Sequence, residues 1–80
     1  MQLHIASPTE TYETLIAWIE LETETGTMIV LPGHAPMIVT LRPLSCLYYR
    51  LRSGKEETTK VAHGIAHITR GSITVLLTNS

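Results

Sequence analysis

Apolar and polar residues alternate with a period of two along much of this chain, a pattern typical of β-strands that bury one face. The alternation predicts strands at residues 2–6, 15–21, 46–52, 56–62, 65–69 and 73–78. β-Branched residues are abundant, turn signals recur every eight to twelve positions and no segment has a convincing helical period. Such features favour a β-sandwich or barrel. We predict an all-β, two-sheet β-sandwich of about eight to ten short, mostly antiparallel strands.

Two of the predicted strands have explicit face assignments. In residues 15–21, one face holds Leu15, Ala17, Ile19 and Leu21, and the opposite face holds Ile16, Trp18 and Glu20. In residues 46–52, one face holds Leu47, Tyr49 and Leu51, and the other holds Cys46, Tyr48, Arg50 and Arg52. Ser53, Gly54 and Lys55 then predict a hairpin turn that returns the chain as the partner strand.

A proline-bounded corner separates two short apolar runs, residues 28–31 and 37–41. Its sequence is Pro32-Gly33-His34-Ala35-Pro36. Proline fixes φ at about −65° and glycine accepts positive φ, so Pro-Gly predicts a tight turn. Pro36 restricts Ala35 to an extended conformation, which returns the chain to strand geometry. We expect a stiff, exposed corner that carries no catalytic device.

Length and composition narrow the possible classes of protein. Eighty residues predict one domain, spanning residues 1–80, and a hydrophobic content of 44% suffices for one core. The net charge of −1 and the lack of a basic cluster argue against electrostatic binding of nucleic acid. Cys46 is the single cysteine, which fits a reducing compartment. No signal peptide or bilayer-spanning apolar run is present, so we expect a soluble chain on the cytoplasmic side.

The candidate catalytic and metal-binding groups each have a simpler structural interpretation. A strand would separate His63 from His67 by roughly 13 Å, too far to share one metal ion. Cys46 lacks an activating pattern, so we expect a packed or half-exposed thiol. Glu20 and Glu22 would lie about 7 Å apart on one face, but a chain this short has little material for an acid–base pocket. We therefore predict no catalytic residue, no metal and no cofactor.

The aromatic residues allow one further interpretation. Trp18, Tyr48 and Tyr49 could stack nucleic-acid bases on an OB-like surface. Without positive charge around them, packing in a core or an interface is the better interpretation. No phosphate-binding glycine loop and no metalloprotease or hydrolase motif occurs in the chain.

From Gly26 onward, the order of features resembles the amino-terminal β-sandwich domain of the epsilon subunit of F-type ATP synthases. The most specific segment is Leu31-Pro32-Gly33-His34-Ala35-Pro36. Supporting segments follow the family's order over essentially the whole chain: Ser7-Pro8-Thr9, Thr25-Gly26-Thr27, Arg42-Pro43-Leu44, His63-Gly64 and Ile73-Thr74-Val75-Leu76. The resemblance therefore implies the same β-sandwich fold that the alternation predicts.

The chain departs from the family pattern at three turns. Tyr12-Glu13-Thr14 stands where the family has Phe-x-Gly, and Ala62-His63-Gly64 stands where a small-Gly-Gly turn is usual. Leu44 follows Arg42-Pro43 where the family has glycine. Leucine disfavours the positive φ that a type II turn needs at this position, so we expect a type I turn or an altered corner.

The chain ends at Asn79-Ser80, where the family usually continues into a two-helix domain. In the family, that domain inhibits ATP hydrolysis and in some members binds ATP. We therefore expect no ATP binding by these 80 residues and no helix-mediated inhibition.

The resemblance implies a non-catalytic rotor subunit in the central stalk of a proton- or sodium-translocating ATP synthase. It implies contacts with the gamma subunit at Thr9, Gly33, His34, Ala35, Pro36 and Val39. It implies contacts with the membrane ring of c subunits at Glu24, Thr25, Gly26 and Thr27. Many relatives carry a carboxylate at the position of Thr27, so a charge contact with the ring is expected to shift to Glu24 or to be lost.

The resemblance also implies a location peripheral to the cytoplasmic face of the bacterial inner membrane, without insertion into it and without a nucleic-acid partner. Two alternatives from other classes stay open at this point. One is a stand-alone β-sandwich interaction module, and the other is a small OB-like binder of nucleic acid. Co-purification with gamma and ring subunits, or salt-dependent retention on single-stranded DNA, would discriminate among them.

Overall fold

A computed structural model describes residues 1–78 and shows an all-β fold of eight strands. The strands are β1 (Gln2–Ala6), β2 (Thr11–Thr23), β3 (Gly26–Val30), β4 (Met37–Thr40), β5 (Ser45–Leu51), β6 (Glu56–Val61), β7 (His63–Ile68) and β8 (Ser72–Thr78). No helix occurs among residues 1–78. The predicted fold class is confirmed. The predicted domain of residues 1–80 also includes Asn79 and Ser80, which lie outside the described residues.

The strands form a curled sheet whose two halves share one interior. The order is β4-β7-β8-β1-β2-β5-β6, and β3 also pairs with β2. Sheet A consists of β4, β7, β8, β1 and the start of β2, and sheet B consists of β3, the rest of β2, β5 and β6. The β1–β8 pair is parallel and the other strand pairs of the described chain are antiparallel.

Both sheets contribute to a single hydrophobic core. Its buried members are Leu3, Ile5, Ile16, Ile19, Leu21, Val30, Leu41, Leu47, Tyr49, Val61, Ala66, Ile68, Ile73 and Val75. Full burial of such an aliphatic side chain contributes about 1.5–3 kcal/mol relative to exposure. Because both sheets supply members of this core, neither sheet can bury its apolar face without the other.

The predicted face assignment of residues 15–21 is wrong at its beginning. Ile16 is buried, whereas Leu15 is 45% exposed and Ala17 is exposed. The cause is a β-bulge: Ile16 pairs with Leu51 while Trp18 pairs with Arg50, which leaves Ala17 as an extra residue in β2. One extra residue reverses the alternation, so that the core receives Ile16 as well as Ile19.

The predicted hairpin of β5 and β6, with its turn at Ser53-Gly54-Lys55, is confirmed. Leu47 and Tyr49 of β5 are buried, as the alternation requires. Gly54 adopts a φ of 103°, and its N–H donates a hydrogen bond of 2.8 Å to the carbonyl of Leu51. The turn therefore uses the conformational freedom of glycine to close the β5–β6 pair.

Gly64 lies inside β7, although the sequence placed it before the strand. A Cβ atom at this position would lie 2.8 Å from the carbonyl oxygen of Leu76 and 2.9 Å from Cδ2 of Leu77. The backbones of β7 and β8 thus approach so closely here that only glycine fits without a shift of main-chain atoms.

We expect Gly64→Ala to lower the free energy of unfolding by about 1–3 kcal/mol, because the new Cβ overlaps a backbone oxygen. Gly71→Ala is the matched control, since no atom lies within 4 Å of its Cβ position and its φ is outside the left-handed region. That variant should be neutral or slightly more stable. Urea denaturation measures both, and equal midpoints for the two variants would contradict the close approach.

Burial raises the pKa of the Tyr49 hydroxyl above its ordinary value of 10.0. The side chain is 3% exposed, and its hydroxyl shares a hydrogen bond of 3.1 Å with Thr59. The unfolded chain therefore ionises first as the pH rises. The corresponding stability is fully present below a pH of about 10 and is lost as the pH passes through the higher pKa of the folded chain.

Removing the Tyr49 hydroxyl should make the free energy of unfolding less dependent on pH in the alkaline range. We expect Tyr49→Phe to lose less free energy of unfolding than the wild type between about pH 9.5 and pH 11.5. Urea titrations at each pH give both profiles. If the two profiles fall in parallel, ionisation of Tyr49 is not coupled to unfolding.

Candidate interaction surfaces

The proline-bounded corner connects β3 of sheet B to β4 of sheet A. Gly33 adopts a φ of 85°, the positive value that the predicted Pro-Gly turn requires. The N–H of Gly33 donates to the carbonyl of Arg70 at 3.0 Å, and the N–H of His34 donates to the carbonyl of Leu31 at 3.2 Å. The corner is therefore tied both to itself and to the turn between β7 and β8.

His34 is the half-buried residue of this corner. Its Nδ1 donates a hydrogen bond of 2.7 Å to the carbonyl of Ala35, which fixes the imidazole against the local backbone. The neighbouring residues Gly33, Ala35 and Pro36 are exposed. The corner is thus a rigid surface feature that offers a defined shape and no group poised for chemistry.

The structure separates Thr9 from the other residues predicted to contact gamma. Val39 lies in β4, directly after the corner, whereas Thr9 lies in the turn after β1. β1 is three strands away from β4, roughly 14 Å at the usual strand spacing. The corner contacts Arg70 through the N–H of Gly33, and the backbone N–H of Gln2 donates to the carbonyl of the next residue, Gly71. The corner therefore lies at the end of sheet A where β1 begins, whereas Thr9 follows the other end of β1. One partner that contacts both Thr9 and the corner must therefore span sheet A.

The four residues predicted to face the ring form the exposed turn after β2, Glu24 and Thr25, and the first two residues of β3, Gly26 and Thr27. Glu24, Thr25, Gly26 and Thr27 are all exposed, and Gly26 adopts a φ of 127°. The hydroxyl of Thr23 donates to the carbonyl of Gly26 at 2.8 Å, which closes the turn. Glu24 takes part in none of the ion pairs found within residues 1–78. Its carboxylate is the one negative charge that this turn presents.

A shallow cleft connects parts of the two predicted contact sets. Its volume is about 260 Å³ and it lies between the turn after β2 and the strand β4. The lining residues are Thr23, Glu24, Thr25, Met28, Met37, Val39 and Thr40. The structure therefore places Val39 beside the turn that was predicted to face the ring.

The expected conformation of the turn at Arg42-Pro43-Leu44 is wrong. Leu44 adopts a φ of 58°, in the left-handed region that the leucine side chain was expected to exclude. The N–H of Leu44 donates to the carbonyl of Ala62 at 3.0 Å, and the hydroxyl of Ser45 donates to the carbonyl of Arg42 at 2.6 Å. These hydrogen bonds offset a left-handed conformation that costs about 1–2 kcal/mol. The leucine side chain is 87% exposed.

The histidines and the cysteine do not assemble a metal site. Among residues 1–78, no group of three or more potential ligand residues is placed to hold a metal ion. His63 and His67 are both exposed on β7, where they pair with Thr78 and Thr74. Cys46 is a half-buried free thiol.

The two glutamates that suggested acid–base chemistry serve other contacts. Glu22 accepts a hydrogen bond of 3.3 Å from the backbone N–H of Cys46. Glu20 lies opposite Tyr48, which packs edge-to-face against Trp18 with 5.6 Å between ring centroids. A hydrogen bond to the Glu56 carboxylate raises the pKa of the Tyr48 hydroxyl. The aromatic pair therefore lies beside the carboxylates of Glu20 and Glu56, and the one cation opposite Trp18, Arg50, is 4.0 Å from the Glu56 carboxylate. This balance of charge does not favour phosphate-bearing ligands.

A cavity of about 610 Å³ opens between the β1–β2 turn and the β5–β6 hairpin. Its polar side chains pair with one another: Tyr12 donates to Glu57 at 3.3 Å, and the Lys55 ammonium lies 3.7 Å from the Glu57 carboxylate. The cavity is thus a gap between the ends of the two sheets, in which the Lys55 and Glu57 charges are paired with each other. No helix in the described part of the chain is long and apolar enough to cross a membrane.

Comparison with known proteins gives one family and several structural relatives. The family model for the ATP synthase Delta/Epsilon chain, beta-sandwich domain, matches residues 1–79. A chain of the Euglena gracilis mitochondrial ATP synthase, solved by cryo-EM as OSCP/F1/c-ring in rotational state 1, is similar with a TM-score of 0.83 and 25% identity. The match covers 94% of this chain and 48% of that one.

A second similar chain belongs to the Tetrahymena thermophila mitochondrial ATP synthase, in a structure of its central stalk and c-ring. Its TM-score is 0.82 at 13% identity, and the match covers 99% of this chain and 63% of that one. At this identity the likeness shows the fold alone. This chain therefore spans between about half and two thirds of the length of these two relatives.

The family assignment confirms the resemblance seen in the sequence. It also agrees with the prediction of a chain that is not an enzyme, because the family is a structural, non-catalytic subunit of ATP synthase. The chain belongs to the delta/epsilon β-sandwich family of ATP synthase.

Proposed function

We propose that this chain is a central-stalk rotor subunit of an F-type ATP synthase and couples the membrane ring to the gamma shaft. The observation that carries the proposal is the family match over residues 1–79. The two structural relatives support it, since they come from structures of an F1/c-ring assembly and of a central stalk with its c-ring. The coupling ion is either the proton or sodium, and the location is the cytoplasmic face of a bacterial inner membrane.

The fold has the stiffness that a rotor element needs. A part that transmits torque must resist deformation, and interiors packed to crystal-like density are hard to deform. Here both sheets share one core, and β2 (Thr11–Thr23) runs continuously from sheet A into sheet B. A load applied to one sheet therefore reaches the other through covalent backbone as well as through side-chain packing.

The corner has the properties of a docking element for gamma. Gly33, Ala35 and Pro36 are exposed, and the hydrogen bonds of Gly33 and His34 hold the corner in one conformation. A pre-ordered surface loses little conformational entropy on binding, so more of the interaction energy appears as affinity. Val39 extends this contact along β4, and Thr9 adds to it if gamma spans sheet A.

The turn formed by residues 24–27 is proposed to face the ring. Its exposed threonine hydroxyls and the Glu24 carboxylate suit hydrogen bonding and charge contact with polar loops. The assignment rests on the order of motifs that this chain shares with the family. Glu24 is the residue that would carry a charge contact.

The two alternative functions lack comparable support. A stand-alone interaction module is compatible with the fold but has no observation in its favour beyond it. An OB-like binder of nucleic acid conflicts with the net charge of −1 and with the acidic neighbours of the Trp18–Tyr48 pair.

Co-purification tests the proposed function directly. An affinity-tagged form of this chain, expressed in its own organism, should recover gamma and ring subunits from detergent-solubilised membranes. An untagged strain is the control. Recovery of the chain alone, together with salt-dependent retention on single-stranded DNA, would replace the rotor proposal with the nucleic-acid alternative.

We expect His34→Asp to weaken gamma binding by about tenfold or more, because a carboxylate cannot donate to the Ala35 carbonyl and places a charge in a packed contact. Binding of the purified chain to gamma gives the affinity, and thermal unfolding shows whether the fold is kept. His63→Asp makes the same exchange at an exposed position on β7 and should bind as the wild type does. Equal affinities for His34→Asp and the wild type would rule out the corner as the gamma contact.

A further inference from the structure

Leu44 combines a positive φ with a highly exposed apolar side chain. It is the non-glycine residue with a positive φ in the described part of the chain, at 58°. Its side chain is also 87% exposed, the largest exposure among the large apolar residues described. Residues with a Cβ rarely adopt this conformation, and glycine would remove both the strain and the exposed leucine. A leucine in this place is therefore costly for the isolated chain.

The turn that carries Leu44 is held in one conformation. The N–H of Leu44 donates to the carbonyl of Ala62 at 3.0 Å, and the buried hydroxyl of Ser45 donates to the carbonyl of Arg42 at 2.6 Å. On the next residue, the N–H of Cys46 donates to the carboxylate of Glu22 at 3.3 Å. The backbone that carries the leucine side chain is thus already ordered and loses little conformational entropy on binding.

This turn lies beside the turn proposed to face the ring. The backbone N–H of Arg42 donates to the carbonyl of Glu22 at 2.9 Å, and Leu41 forms a β-bridge with Thr23. The N–H of Cys46 also donates to the carboxylate of Glu22. Residues 41–46 therefore flank Glu22 and Thr23, directly before the turn that contains Glu24, and the two turns lie beside each other.

The two turns are chemically complementary parts of one surface. Residues 24–27 offer a carboxylate, hydroxyls and backbone, which are typical of the polar rim of an interface. Rim contacts contribute little affinity, and most of the binding energy of an interface comes from a few buried anchor residues. Leu44, at 87%, is more exposed than other large apolar side chains near this rim, such as Ile29 at 55% and Met37 at 38%. The exposed Leu31 lies at the other end of β3.

We propose that Leu44 is the apolar anchor of the contact between this chain and the membrane ring. Its side chain inserts among apolar side chains of the ring's loops, and residues 24–27 surround it as the polar rim. Burial in the complex recovers hydrophobic energy from a side chain that the isolated chain leaves in water. The inference rests on the proposed function, because it assigns a residue to the ring contact proposed there.

The test compares binding of the full chain to the purified, detergent-solubilised ring for the wild type, Leu44→Ala and Leu44→Gly. Both variants should lose about tenfold or more in affinity, as expected for an anchor residue. Leu44→Gly should keep or raise the Tm, because glycine relieves the left-handed strain. A loss of binding without a loss of Tm distinguishes an anchor from a residue that only maintains the fold.

Two controls separate the ring from other apolar surfaces. Empty detergent micelles show how much of the signal is adsorption of an exposed leucine to detergent. Leu31→Ala removes a leucine that is 56% exposed at the corner, and this variant should keep the ring affinity of the wild type. Binding of each Leu44 variant to purified gamma should also be unchanged.

The outcomes distinguish the inference from the function on which it rests. If the wild type fails to bind the ring, the proposed ring contact is wrong, and the inference about Leu44 is wrong as well. If the wild type binds and both Leu44 variants bind equally well, the rotor proposal stands and the anchor is refuted. A loss of gamma binding instead of ring binding would place Leu44 at the other interface and would also refute the inference.

Discussion

The fold depends on one strand that belongs to both sheets. The first five residues of β2 pair with β1, and its remaining residues pair with β5 on one side and β3 on the other. The bulge at Ala17 falls where the strand passes from one sheet to the other. Because bulges bend and twist a strand, this extra residue lets Ile16 and Ile19 both enter the core. Without that reversal, one sheet would present its polar face to the other.

The shared core allows the turns to act as fixed surface features. The corner is tied to the β7–β8 turn through Gly33 and Arg70, and the turn of Leu44 is tied to the end of β6 through Ala62. In each case a backbone hydrogen bond joins segments that are distant in the chain. Loops positioned by a rigid scaffold are where recognition usually takes place. The molecule therefore presents its contact candidates at two ends of a stiff body.

Leu44 shows how tertiary contacts override local preference. Leucine disfavours a positive φ by itself, and the sequence-based expectation followed from that preference. The hydrogen bond from the N–H of Leu44 to the carbonyl of Ala62 joins this turn to the end of β6, which pairs with β5. The hydroxyl of Ser45 adds a local bond to the carbonyl of Arg42. Gly64 is the opposite case, because the close approach of β8 leaves no room for any side chain.

Sequence patterns alone predict the all-β class, the β5–β6 hairpin with Leu47 and Tyr49 inward, the Pro-Gly corner and the family. These features follow from patterns local to a few residues: alternation, proline and glycine geometry, and motif order. Tertiary structure alone decided the bulge at Ala17, the parallel pairing of β1 with β8, the conformation of Leu44 and the distance between Thr9 and the corner. Each of these depends on register and hydrogen bonds between segments far apart in the chain, and a local pattern contains no information about which distant strand will lie beside it.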